Sequence, residues 1–105
     1  MRPIGTHNYF VYIITNKNKT ALYIGVTNNL PIRLAQHKQN ELMNNNSFTG
    51  RYNVQFLLYY ERHGHIEDAI DREKQLKRWS RKKKEQLIES MNPDWRFLND
   101  EITDL

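Results

Sequence analysis

Five side chains of this sequence could share one piece of chemistry: Tyr12, Tyr23, Arg33, His37 and Glu73. A hydroxyl or imidazole can orient or deprotonate a water, a fixed guanidinium can stabilise charge growing on an oxyanion, and a carboxylate can hold a hard divalent cation. Phosphodiester hydrolysis needs all three. Arg33 and His37 are four residues apart, so on a helix they project from one face, which Leu30 and Leu34 share or border. A guanidinium on such a stripe must find an anion, because burying it unpaired is very costly. Ile66, Ala69 and Ile70 set a helical register that calls for an apolar residue at 73, and Glu73 stands there instead. A carboxylate at the margin of a core suits Mg²⁺, whose other positions are filled by water and phosphate oxygens. Its competing partner is Lys77, one turn on. Gly25 permits close approach of another backbone or of a phosphate. His63 and His65 flank Gly64 in a turn and read as surface residues.

The elements that must position these groups follow from the pattern. Residues 9–15 (YFVYIIT) and 21–27 (ALYIGVT) are aromatic and β-branched, so both read as strands, and the polar turn at 16–19 makes them a hairpin. They are apolar at nearly every position, which implies helices over both sheet faces. Asn28-Asn29 offers an N-cap and Pro31 falls in the first turn of a helix reaching about Asn40. Residues 41–53, with three consecutive asparagines and Gly50, read as a loop. Residues 54–61 (VQFLLYYE) form a third strand. Residues 66–79 form a second helix, and Ser80 caps a third that reaches Met91 with Leu87, Ile88 and Met91 as its apolar side, before Pro93 ends it. The tail packs through Trp95, Phe97 and Leu98. The order β-β-α-β-α-α predicts an α+β domain, a three-stranded sheet with helices against it, in a single unit over residues 1–105.

A chain of 105 residues suffices for one modest core, and with no cysteine it has neither disulfides nor thiolate zinc sites. No apolar run reaches the length of a membrane span, and the first residues lack the apolar stretch of a signal peptide, so a cytoplasmic protein is expected. The net charge of +4 is unevenly distributed. Residues 72–84 carry eight Lys or Arg against Glu73 alone, whereas residues 85–105 carry six acids against Arg96. Such a basic block suits a polyanion, nucleic acid first. Lys82, Lys83 and Lys84 sit in the first turns of the third helix, where the macrodipole disfavours cations unless an anion is near.

Together these residues resemble the GIY-YIG nuclease family. Phe10-Val11-Tyr12 matches the first family motif, with Phe10 at the usual glycine, and Tyr23-Ile24-Gly25 matches the second. The interval to Arg33, His37 a turn later, and Glu73 within residues 69–77 (AIDREKQLK) continue the match, and Arg51-Tyr52-Asn53 with residues 57–61 (LLYYE) resembles the third strand of small members. The similarity runs over about residues 9–99.

The resemblance implies a metal-dependent DNA endonuclease that nicks one strand, directed by structure or damage, with a role in DNA repair. It implies Mg²⁺ or Mn²⁺ on Glu73, Tyr23 or Tyr12 as base or water-orienting group, Arg33 as electrostatic clamp and His37 in support. An unperturbed tyrosine, with a pKa near 10, needs a neighbouring cation to act as a base at neutral pH. The family's late asparagine would be Asn92 or Asn99. DNA would be held through phosphates by Gly25, Arg51, Lys74, Lys77, Arg78, Arg81, Lys82, Lys83 and Lys84, in a salt-sensitive and largely sequence-blind manner. Val26 stands where some members carry a lysine, and this departure motivates a rival reading, a nucleic-acid-binding module without catalysis. A structural or protein-interaction domain, its basic block paired with an acidic tail, is the third reading.

Overall fold

The computed structural model describes residues 8–42 and 53–102. Three strands, β1 (Tyr9–Thr15), β2 (Leu22–Thr27) and β3 (Phe56–His63), and three helices, α1 (Leu30–Leu42), α2 (Ile66–Lys77) and α3 (Arg81–Met91), follow the order expected for an α+β domain. The sheet is antiparallel in the order β2-β1-β3. Most of the expected loop at 41–53 lies outside the described residues, Arg51 among them, while α1 extends two residues past Asn40.

Alternation along β1 splits the core in two. Phe10, Tyr12 and Ile14 pack with Leu30 and Leu34 of α1 and with Leu98 and Ile102 of the tail. Val11 and Ile13 face the other way, against Ala69 and Leu76 of α2 and Ile88 of α3. Each fully buried Leu or Ile contributes about 1.5–3 kcal/mol, so β1, buried from Phe10 to Thr15, is the axis of the domain. The β1–β2 turn is built by Asn16, whose side-chain oxygen accepts from the Thr20 and Ala21 amides at 2.8 and 3.0 Å, with Lys19 in the left-handed region at φ 60°.

Three expectations change. The third strand is displaced by two residues, because Tyr9 and Phe10 supply ladder partners for His63 and Arg62. Its register also slips between Ile13 and Ile14, a bulge that turns both Leu58 and Tyr59 toward the α2 and α3 side. Met91, read as apolar lining of the third helix, is exposed, as is Ile66 at the start of the second. The tail packs through Leu98 and Ile102 on one side and Trp95 on the other, while the exposed Phe97 stacks on Phe56 at 4.3 Å and has Lys19 Nζ 5.3 Å from its centroid.

Asn92 and Asn99 explain how the tail is held. Buried Asn92 donates to the carbonyls of Leu58 (3.1 Å) and Arg96 (2.8 Å). Asn99 accepts from the Leu57 amide at 2.9 Å and donates to the Gln55 carbonyl at 3.1 Å. These bonds shield part of the β3 edge, and both asparagines spend their side chains on backbone.

Candidate active site

Tyr12 and Gly25 face each other across the β1–β2 ladder. A Cβ at position 25 would lie 2.4 Å from the Tyr12 hydroxyl oxygen and 2.5 Å from the carbon that bears it. The Tyr12 ring thus makes the close approach that Gly25 permits on the side where a side chain would stand. Laid flat over the edge strand, the hydroxyl meets α1. Arg33 Nε donates to it at 3.3 Å, and His37 Nε2 lies 2.9 Å away. Asn29 caps the helix by accepting from the Ile32 amide at 3.1 Å, which fixes the first turn and the departure of Arg33.

His37 is fully buried, on the same helical stripe as Leu30 and Leu34. Its ring sits edge-on to both tyrosines, with centroids 5.8 Å from Tyr12 and 5.6 Å from Tyr23. A hydroxyl that accepts from Arg33 still has its own proton to give, and Nε2 of a neutral imidazole is placed to take it. His37 Nδ1 has no hydrogen-bond partner among the described residues. Burial, helped by the charge of Arg33, lowers the His37 pKa to about 4. Burial also pushes Tyr12 up to about 12, against the pull of Arg33 and with the help of Tyr23 and Glu73. Both groups are thus uncharged at neutral pH. Burial opposes the Arg33 charge too, but its hydrogen bonds to Tyr12 and Tyr23 leave its pKa raised.

Among the described residues the guanidinium therefore draws on two phenol oxygens and on Gln36 Oε1, 3.0 Å from Nη1, rather than on a carboxylate. Gln36 was not singled out in the sequence, although its i+3 spacing from Arg33 is the signal that could have found it. Among the described residues no acid pairs with Arg33, so an incoming phosphate would meet a cation that these groups leave unneutralised. The half-buried Tyr23 hydroxyl borders that cation from the edge strand, whereas Tyr12 is only 1% exposed.

Glu73 comes from α2 on the other sheet face and is near enough to Tyr12 for its charge to raise the tyrosine pKa. Its carboxylate is 18% exposed and lies 3.6 Å from Lys77 Nζ, itself 52% exposed. No group of three or more His, Asp or Glu that could hold a metal exists among the described residues. A single hard carboxylate with a displaceable lysine still fits Mg²⁺, which keeps most of its water. Val26 packs on the α2 and α3 side of the sheet.

The basic block is divided by the fold. Arg72 Nε donates to Glu61 at 2.7 Å, and Glu61 also takes Tyr59 and His63 at 2.6 and 3.0 Å. Burial works against the Glu61 charge, but these donors hold its pKa below the usual carboxylate range. Arg81 is consumed by the carbonyls of Thr20 (2.8 Å) and Lys19 (3.1 Å) and by Glu85. Lys74, Arg78 and Lys82 remain exposed, Lys84 is half-buried and Lys83 lies over the Trp79 ring at 4.8 Å.

A family model described as the GIY-YIG catalytic domain matches residues 8–86. The chain belongs to the GIY-YIG nuclease family. The UPF0213 protein of Bacillus halodurans, solved in solution, is similar in structure to this GIY-YIG domain, with 28% sequence identity and a TM-score of 0.52 over 84% of this chain and 89% of that one. No curated protein matches the chain. No helix among the described residues is long and apolar enough to cross a membrane.

Proposed function

We propose that this GIY-YIG domain is a metal-dependent DNA endonuclease that nicks one strand, directed by structure or damage rather than sequence, and that it serves DNA repair in the cytoplasm. One observation carries the reading: Arg33, held by two tyrosine hydroxyls and a glutamine and, among the described residues, by no acid, is a cation kept available at the rim of a buried polar cluster. Glu73 would hold Mg²⁺ or Mn²⁺, after Lys77 swings away, and the ion would supply Lewis-acid charge next to the scissile phosphate. Arg33 binds the phosphoryl oxygens and stabilises the charge that grows on them.

The two tyrosines divide the work. Tyr12 is fully enclosed and uncharged, so it acts as a post, fixing Arg33 on one side and His37 on the other. Tyr23 lies beside Arg33 and is half-buried, so its hydroxyl orients the attacking water. His37 keeps both rings in place. DNA is gripped by phosphate contacts, with Lys74, Lys77, Arg78, Lys82, Lys83 and Lys84 as donors.

Supercoiled plasmid, flap and branched DNA incubated with Mg²⁺ or Mn²⁺ test the reading. Wild type should nick at least one of them, and Tyr23→Phe should do so on the order of 10²-fold more slowly. No nicking of any of the three with either metal would reject the reading. One observation favours a rival, a nucleic-acid-binding module without catalysis: the Glu73 carboxylate already has Lys77 as partner. Salt-dependent DNA binding without nicking would favour that rival.

A further inference from the structure

Trp79, just beyond α2, separates two hollows. One, of about 410 Å³, is lined by Asp71, Lys74, Gln75 and Arg78 together with the indole. The other, of about 240 Å³, lies toward α3, where Lys83 and Leu87 flank the same ring. The guanidinium of Arg72 is 5.2 Å from the ring centroid, and the Glu61 bond anchors it. Lys83 Nζ is 4.8 Å from the centroid and belongs to an exposed side chain. One cation is thus fixed against the indole and the other can leave it.

A flat aromatic surface among cations is what an unpaired nucleotide requires: the base stacks and its phosphate finds Lys or Arg. Stacking is open to any base with a free face, and a base inside a duplex has none to offer. Gln75 and Asp71 add an amide and a carboxylate that can meet the edge of a base. At 100° per residue, Glu73 and Lys77 occupy one flank of α2, Lys74 the outer surface and Gln75 the far flank, and Gln75 shares its hollow with Arg78 and Trp79 just beyond the helix. The cations form a path across the helix, a width of about 10–12 Å, from the metal-binding carboxylate to the indole.

We propose that Trp79, with Lys74, Arg78 and Lys83, forms a binding subsite for single-stranded DNA, so that the substrate carries an unpaired segment leading from the cleavage site over α2. Lys83 gives up the ring to the base and takes the neighbouring phosphate. This assignment rests on the nuclease reading for its place in the reaction, but its binding chemistry can be read separately.

The sequence has two tryptophans, so Trp95→Phe leaves Trp79 as the sole indole emitter. In that protein, a short oligothymidine should quench the emission saturably at low salt, and a blunt hairpin duplex of equal charge should quench it far less. Trp79→Ala should weaken oligothymidine binding, followed by anisotropy, about 5- to 150-fold. The exposed pair Lys74→Ala with Arg78→Ala, which leaves the core intact, should weaken it and flatten its salt dependence. Unchanged emission while the strand binds, equal quenching by the duplex, or no binding of the strand would each overturn the proposal. Quenching without plasmid nicking would keep the subsite and remove the nuclease; nicking without quenching would do the reverse.

Discussion

Gly25 shows how a single atom can decide a site. The ring of Tyr12 lies where a side chain at position 25 would begin, so Gly25→Ala must displace the hydroxyl that Arg33 and His37 share. Overpacking of this kind costs about 1–3 kcal/mol. A thermal melt should show that loss, with nicking reduced beyond what the lost stability explains. His37 gives a second prediction. Its pKa is about 4 in the folded chain against an ordinary 6.5, so the unfolded chain binds the proton more readily between those values. Stability should be complete above about pH 6.5 and decline as the pH falls toward 4. In His37→Gln, urea midpoints should lose that part of their pH dependence. The types and spacing of Arg33, His37 and Glu73 were readable because each breaks or shares a helical stripe. The neighbour of Gly25 was not, because only the register of the hairpin brings Tyr12 over it.

At the scale of elements, α2 is locked by Glu61, on which Arg72, Tyr59 and His63 converge. Arg72 precedes Glu73, so this anchor also sets the rotation of the helix that carries the carboxylate. Glu61→Gln should cost about 1–3 kcal/mol, as expected for hydrogen bonds to a charged group, measured by urea unfolding. Strand and helix types were legible from periodicity, and Ser80 was legible as a cap, accepting from the Lys83 amide at 3.2 Å. The extension of β3 to His63 was not, since it depends on partners at the start of β1. Nor was the fate of Arg81: nothing in a run of basic residues distinguishes the one that closes on a distant turn. Its contacts to Thr20 and Lys19 make it a brace between α3 and the hairpin.

Among the described residues two helical layers enclose one sheet, and the proposed site lies at the β2 edge, where α1 and α2 approach from opposite faces. The dense basic block is less of a DNA footprint than its charge suggests, because Arg72 and Arg81 are occupied internally. DNA affinity should therefore respond unequally to charge removal. Lys82→Ala should reduce the salt slope of binding by about one, whereas Arg81→Ala should chiefly lower the melting temperature. Fluorescence anisotropy across a salt series checks both.

In the proposed reaction Arg33 and Glu73, from opposite layers, act on one phosphate. The most direct measurement is the rate of Mg²⁺-dependent plasmid nicking by Arg33→Ala and Glu73→Ala proteins whose thermal melts match wild type. Each rate should fall by about 10²- to 10³-fold. Nicking at the wild-type rate by either variant would contradict the account.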